Sequence, residues 1–312
     1  MSPVKCLIIG YGSIGSRHAI ILKQLGCSVH VVTSRSIDLY PRYAGIQEAF
    51  WREKHFDYVV ISNRTSDHSS ALKELNEIGY HGLLLIEKPV FRGLEQLVRP
   101  VNPANVFIAY NLRGHPIIQD VHSLIHNKKI FSIQIYAGSY LPDWRPDTDY
   151  KQCYSAIKSQ GGGVLRDLSH ELDYLCWFTG CWKSVAALGG KFGHLQIDSD
   201  DVFALLIETE RCPAAVLQFN YLDRVPRREM LINIEDQSLR VDLIENTLSV
   251  NQSTKKYTVQ RNDTHLYVHK AILERKTDNL CSFEDSLKIL HLIQGAEEAA
   301  ISGVRQVANP HQ

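Results

Sequence analysis

No charge of one sign dominates this sequence: Lys plus Arg and Asp plus Glu number 34 each. A nucleic-acid binder usually carries a basic excess or a basic face, and nothing here argues for one. Cysteine pairing is missing as well. The seven cysteines (Cys6, Cys27, Cys153, Cys176, Cys181, Cys212 and Cys281) are odd in number and include no CxxC. That pattern suits reduced thiols and speaks against both a disulfide framework and a zinc site. No apolar run approaches the roughly 18 residues a bilayer-crossing helix needs. The first residues lack a basic stretch leading into an apolar core, so no secretory signal is expected and a cytoplasmic location is. Internal repeats and low-complexity tracts are also missing.

What is present is ordinary globular composition, 44% hydrophobic and 22% charged over 312 residues. At roughly 100–200 residues per domain, that length predicts two domains. The first third alternates β-rich runs with helical patterns. The runs are "VKCLIIG", "SVHVVTS", "DYVVIS", "GLLLIEK" and "NVFIAY". Between them, "IGSRHAIILKQLG" and "DHSSALKELNEIG" show helical spacing and stop at Gly26 and Gly79. Apolar strands alternating with helices predict βαβ units and a parallel sheet. After about residue 112 the character changes. Helical text at 115–126 leads to "IFSIQIYAG", an irregular segment follows from Ser139 to about Gln160, and a helix is expected over 161–180. Six β-like runs then follow without helices between them, from "SVAALGG" to "NTLSVNQ", which predicts an antiparallel sheet. The end, "SFEDSLKILHLIQGAEEAAISG", reads as one amphipathic helix capped by Ser282. The expected fold is α/β: a Rossmann dinucleotide-binding domain over 1–112 and, over 113–312, an α/β domain built on an open, largely antiparallel sheet.

"IIGYGSIGSRH" sets Gly10, Gly12 and Gly15 in GxGxxG spacing, after a strand and opening a helix. The first glycine permits the tight turn, the second lets backbone approach a pyrophosphate, and the third lets helix and strand pack closely. The helix N-terminus supplies N–H groups and a favourable dipole, so Ser13 and Ile14 join the expected cofactor set. About 20 residues on, an acid would hold the ribose diol of NAD. Ser34 and Arg35 stand there instead, and Arg with hydroxyl neighbours suits a 2′-phosphate. NADP is therefore the expected cofactor. NAD stays open, because Asp38 could serve the diol.

Between Gly161 and Gly180 runs "GGGVLRDLSHELDYLCWFTG", which places Asp167, His170 and Asp173 at three-residue spacing. On one helix such positions are neighbours, so an acid and an imidazole can meet. An imidazole titrates near working pH and suits general acid–base work. A lone helical histidine is more often structural, and its reading here depends on a partner lysine elsewhere in the chain. The remaining histidines form no ligand cluster, and no metal is expected.

With the phosphate loop, the stretches "IEKP" at 86–89, "DHSSAL" and "GGGVLRDLSHELD" resemble the glucose–fructose oxidoreductase / inositol dehydrogenase / MocA-like (Gfo/Idh/MocA) family over nearly the whole chain. The resemblance implies pyridine-nucleotide redox chemistry, mostly on carbohydrate derivatives. It also implies association through the outer face of the C-terminal sheet, as a homodimer or homotetramer. By that resemblance Lys88 matches the lysine near the reacting hydroxyl, His170 and Asp173 match the HxxD element, and Asp167 resembles the preceding acid. The interval from Asp167 to His170 is three residues where many members have four. Asn63, His68, Glu87 and Lys88 complete the expected cofactor contacts. "AYNLRGHP" and "LPDWRPDTDY" further resemble a subgroup from surface-polysaccharide and nonulosonic-acid pathways.

These expectations assign Lys88, His170 and Asp167 to catalysis, and Arg113, Trp144, Arg145 and Asp173 to the substrate. A lysine near the substrate oxygen can stabilise developing alkoxide charge or relay its proton. The long segment ahead of the glycine-rich helix carries Tyr140, Trp144 and Tyr150, which can stack on a sugar or base, beside Arg145, whose planar fork suits phosphate or carboxylate. The predicted activity is therefore an NAD(P)-dependent sugar oxidoreductase acting on a small anionic carbohydrate, a nucleotide-sugar or sugar phosphate. The alternative is a dinucleotide-binding sensor or accessory subunit without turnover.

Overall fold

The structure is a computed structural model and describes residues 3–145 and 148–308. In chain order it contains β1 (Lys5–Ile9), α1 (Ser13–Gln24), β2 (Ser28–Val32), β3 (Arg42–Tyr43), α2 (Ile46–Glu53), β4 (Tyr58–Ile61), α3 (His68–Glu77), β5 (Leu83–Ile86) and β6 (Val106–Ile108). Then come α4 (Pro116–Ile125), β7 (Ile130–Gly138), α5 (Val164–Asp167), α6 (His170–Thr179), β8 (Trp182–Gly190), β9 (Val202–Thr209), β10 (Ala215–Asn220) and β11 (Arg227–Ile234). The chain closes with β12 (Ser238–Asp242), β13 (Thr247–Val250), β14 (Ser253–Lys256), α7 (Asp263–Leu273), β15 (Cys281–Ser282), α8 (Phe283–Ser302) and β16 (Gln306–Val307).

Two compact units result: Met1–Gly114 with Arg261–Leu287, and His115–Gln260 with Lys288–Gln312. The first holds a seven-stranded sheet in the order β15-β6-β5-β4-β1-β2-β3. All its pairings are parallel except β15 with β6. Every residue of β4 and β5 is buried, which explains why these strands read as continuous apolar runs: helices cover both faces. The order β3-β2-β1-β4-β5-β6 is the doubly wound one, and it reverses between β1 and β4.

The second unit is built on a nine-stranded sheet, β14-β13-β12-β11-β7-β10-β9-β8-β16. It is antiparallel except for β7 with β10. Its strands alternate. In β9, Phe203, Leu205 and Ile207 are buried while Ala204 and Leu206 are exposed. One face therefore forms the unit's core and the other faces water, as an antiparallel sheet permits. Both expected sheet types are present.

Two expectations need correction. The second domain is not the continuous stretch 113–312, because residues 261–287 belong to the first unit. Helix α7 buries Val268, Ala271 and Ile272 in a core shared with Ala19 and Leu22 of α1 and Cys6 and Ile8 of β1. Each large aliphatic buried there is worth roughly 1.5–3 kcal/mol, enough to fix which unit the helix joins. The other correction concerns 161–180, which is two helices rather than one. Leu168 ends α5 at φ −94, ψ 26, and α6 restarts with Asp173 N–H donating to the Ser169 carbonyl at 3.0 Å. The C-terminal helix does begin as expected, with Asp285 N–H donating to Ser282 Oγ at 3.0 Å.

Candidate functional site

In the first unit the residues that follow β1, β4 and β5 all lie at the carboxyl edge of the parallel sheet, where folds of this kind bind ligands. Gly10 adopts φ +95, and a Cβ there would lie 2.6 Å from the Asn63 backbone. A Cβ on Gly15 would lie 2.0 Å from the Gly10 carbonyl, so α1 starts directly against the loop. Ser62 Oγ donates to the carbonyls of Ile9 and Gly10, at 3.2 and 2.9 Å, and braces the turn from β4. Around Gly12, by contrast, a Cβ would meet nothing within 4 Å. Gly12 is the N-cap of α1 with no side-chain hydrogen bond, and the first turn holds no acidic residue. At Asn63, which packs against Gly10, the buried Oδ1 has no hydrogen-bond partner. An open backbone approach, an uncapped helix N-terminus and an unused buried acceptor fit a dinucleotide's pyrophosphate and adjoining ribose.

Ser34 and Arg35 follow β2 and are exposed, as is Asp38. Arg35 N–H donates to Thr33 Oγ1 at 3.1 Å, while its guanidinium makes no ion pair among the described residues. His68 does not match its expected cofactor role. It is 1% exposed, and its ring nitrogens lie 3.1 and 3.4 Å from the carbonyls of Val90 and Asn63. Burial holds its pKa down, and the ring sits between the two loops that carry those carbonyls.

Glu87 and Lys88 leave the end of β5. Glu87 Oε1 lies 2.8 Å from His18 Nε2, and Glu87 Oε2 accepts the Lys88 N–H at 3.3 Å. Burial alone would raise the Glu87 pKa, but the His18 hydrogen bond and nearby positive charge hold it below the usual carboxylate range. His18 was invisible to motif reading because it lies on the inward face of α1, among Gly15, Ala19 and Leu22. Arg113 also departs from expectation. It is 2% exposed, with Nη1 donating to the Leu280 carbonyl at 3.1 Å and lying 3.6 Å from Asp285 Oδ2. Its guanidinium braces the returning segment instead of presenting itself to a substrate.

In the second unit Gly162 and Gly163 are required by protein neighbours, and Gly161 by its backbone at φ +86. A Cβ on Gly162 would lie 2.1 Å from the Tyr154 carbonyl, and one on Gly163 2.2 Å from Asp200 Oδ1. Asp200 caps α5: its carbonyl accepts Val164 N–H and its Oδ2 accepts Leu165 N–H, each at 3.0 Å. Burial pushes the Asp200 carboxyl up to about 6. At the other end of α5, Asp167 accepts from Tyr154 at 2.7 Å and from Tyr221 at 2.6 Å. Both phenols sit well above the usual tyrosine range, through burial first and the Asp167 charge second. Neither tyrosine was expected from sequence. They lie 13 and 54 residues from Asp167, and only the fold brings them there.

His170 opens α6 half-buried, and Asp173 is buried one turn further along. Glu171 anchors the helix to β11 through Arg228, at 2.6 and 3.0 Å. In the irregular segment Trp144 is 37% exposed, stands edge-on to Tyr221 with centroids 5.3 Å apart, and donates to Ser139 Oγ at 2.7 Å. Arg145 is exposed beside it. Two residues of "LPDWRPDTDY", at 146 and 147, lie outside the described residues. The Arg224 guanidinium stacks on Tyr140 at 3.5 Å, so that ring already has a cation on it. Among the described residues no group of three or more His, Cys, Asp or Glu could hold a metal ion, and no helix is long and apolar enough to cross a membrane.

Residues 118–241 match the family model described as the GFO/IDH/MocA C-terminal domain. Those residues therefore resemble the Gfo/Idh/MocA C-terminal domain, and the chain as a whole shares its fold with the solved structures that follow. Levoglucosan dehydrogenase in complex with NADH superposes with a TM-score of 0.81 at 13% identity, covering 99% of this chain and 100% of that one. WlbA dehydrogenase from Bordetella pertussis, in complex with NADH and UDP-GlcNAcA, gives 0.80 at 16%, covering 99% of each. A myo-inositol dehydrogenase from Corynebacterium glutamicum gives 0.77 at 18%, covering 99% of this chain and 100% of that one. A comparison with curated proteins by sequence finds no match.

Proposed function

We propose that this protein is an NAD(P)-dependent oxidoreductase acting on a carbohydrate derivative. The observation that carries the reading is the open Gly12 over the uncapped N-terminus of α1, at the point where the strand order reverses. The similar proteins with NADH bound support it. A bound nicotinamide would supply hydride exchange; the chain's own residues must handle the hydroxyl proton and hold the sugar. Lys88 is assigned to stabilising the developing alkoxide, His170 to accepting or returning the proton, and Asp167 to fixing the site around it. Trp144 and Arg145 are assigned to an anionic sugar, a nucleotide-sugar or sugar phosphate of surface-polysaccharide or nonulosonic-acid metabolism, with Asp173 beside them. WlbA, with its bound UDP-GlcNAcA, supports that class. A homodimer or homotetramer in the cytoplasm completes the proposal. Leu188, Leu206, Val216 and Leu231, all exposed on the second sheet, offer the apolar surface for association.

NADP is preferred over NAD in this reading, because Arg35 follows β2 exposed and unpaired among the described residues. A charge-assisted contact is worth about 1.5–3 kcal/mol, roughly ten- to 150-fold in affinity. The test is a turnover screen of nucleotide-sugars and sugar phosphates with each cofactor, followed on wild type, Lys88→Met, His170→Ala and Arg35→Ala. Removing either proton-handling group should cost about 10²–10⁴ in kcat with cofactor affinity unchanged. Arg35→Ala should erase the NADP preference. A protein that binds both cofactors and turns over nothing would instead be the non-catalytic sensor.

A further inference from the structure

Behind Glu87 the first unit buries a line of three polar side chains. Glu87 Oε1 lies 2.8 Å from His18 Nε2, and His18 Nδ1 lies 2.8 Å from His269 Nε2. His269 Nδ1 in turn lies 3.0 Å from the Tyr58 hydroxyl. Tyr58 and His269 are 0% exposed and His18 1%. They come from β4, α7 and α1, three elements with no sequence proximity. Nothing in cofactor binding or in packing alone calls for two imidazoles in series here, since buried polar groups are costly unless each one is satisfied.

Chemistry sets the direction of the line. The Glu87 carboxylate can only accept, so His18 Nε2 must donate. With neutral imidazoles, His18 Nδ1 then accepts from His269 Nε2–H, and His269 Nδ1 accepts from the Tyr58 hydroxyl. Every link has one proton and one acceptor. We propose that Tyr58, His269 and His18 are positioning residues: their one-way hydrogen-bond line holds Glu87 as a carboxylate at the base of Lys88 and so sets the proton affinity of that lysine. The proposal rests on the reading of Lys88 given above. The line ends on a carboxylate whose second oxygen accepts the Lys88 backbone N–H, and the Lys88 charge acts on that same carboxylate. Because that coupling is reciprocal, removing the negative charge lowers the proton affinity of the Lys88 ammonium. The other ionisable groups facing the line are His265, Arg17 and Lys88 around Glu87 and His18, and Cys6, Cys27 and Tyr80 around Tyr58. His265 stands edge-on to His18 with centroids 5.9 Å apart, and burial holds it at about 4.

Two measurements on the full chain test this. Nitrogen-15 NMR of the histidine rings at pH 7.5 should show both His18 and His269 as Nε2–H tautomers. An Nδ1–H tautomer at either ring would overturn the direction of the line, whatever the enzyme does. The kcat–pH profile should then be compared for wild type, Glu87→Gln, Tyr58→Phe and the conservative His18→Gln. The limb that reports Lys88 should move to lower pH by about one unit or more in Glu87→Gln. The shift should be smaller but in the same direction in Tyr58→Phe, and His18→Gln, whose amide N–H can still reach Glu87, should lie closest to wild type. Cofactor affinity should be unchanged in Tyr58→Phe and His18→Gln. A merely structural line would lower thermal stability and leave that limb in place, which would sink the proposal. Retention of wild-type rate and profile in Lys88→Met would remove the reading of Lys88 instead, with the tautomers still deciding the line.

Discussion

Glu87 in the first unit and Asp167 in the second are both largely buried acids next to residues assigned to proton handling, and they are held differently. Glu87 ends a series, in which His18 depends on His269 and His269 on Tyr58. Asp167 is the stem of a fork, with Tyr154 on one oxygen and Tyr221 on the other. A series transmits any break to its end, whereas a fork keeps one arm when the other is lost. Imidazoles can pass a hydrogen bond along because each has two ring nitrogens; a phenol that donates to a carboxylate simply terminates there.

The largest effect should come from breaking the series in its middle. His18→Leu leaves a buried carboxylate and a buried imidazole without their shared partner, and should cost about 3–5 kcal/mol of stability in denaturant unfolding. A loss below about 1 kcal/mol would mean that water replaces the ring and the line is not a unit.

Asp200 sharpens the contrast, since backbone amides hold its carboxyl. Its folded pKa of about 6 lies above the unfolded value of 3.8, so the folded state binds the extra proton. That contribution is fully present below pH 3.8 and is lost as pH rises through about 6, amounting to about 3 kcal/mol at most. His265, held at about 4, acts in the opposite sense, losing its contribution as pH falls below 6.5. The measurable quantity is therefore the difference between Asp200→Asn and wild type from pH 4 to 7. It should favour wild type at the acid end and close, or reverse, near neutrality. A flat difference would contradict the raised pKa.

The smallest effect belongs to the fork. Tyr154→Phe and Tyr221→Phe should each cost about 1.5–3 kcal/mol, the range for a hydrogen bond to a charged group, with most of kcat kept because one phenol still orients Asp167. The double variant should lose more activity than the product of the singles. Strict additivity would show that the two arms act independently and that the fork is only a description.

Much of the first unit was legible because its signals are local. Leu83–Ile86 is apolar at every position because both faces are covered, and Gly10 and Gly15 are required by atoms one turn away or on the next strand. The second sheet declared itself by alternation, as in Phe203 to Ile207. The partners of the candidate residues were not legible. "DTHLYVHKAIL" announces a helix with an apolar stripe, but nothing in it says which core the stripe will join. The break after Asp167 was hidden for a related reason. Helical spacing runs on through Leu168, and the stop is imposed by tertiary anchors, Asp200 at one end of α5 and the two tyrosines at the other.

The sequence by itself determined the two sheet types, the dinucleotide-type loop and the residue types available for acid–base work, because strand periodicity and glycine sterics act over a few residues. Only the tertiary structure decided that α7 returns to the first unit and sets His269 against His18, that Tyr154 and Tyr221 converge on Asp167, and that Arg113 and His68 are spent inside the protein. The physical reason is the same in each case. A buried polar group must find its partner wherever the chain has been brought close, and that proximity is settled by burying apolar surface far away in sequence.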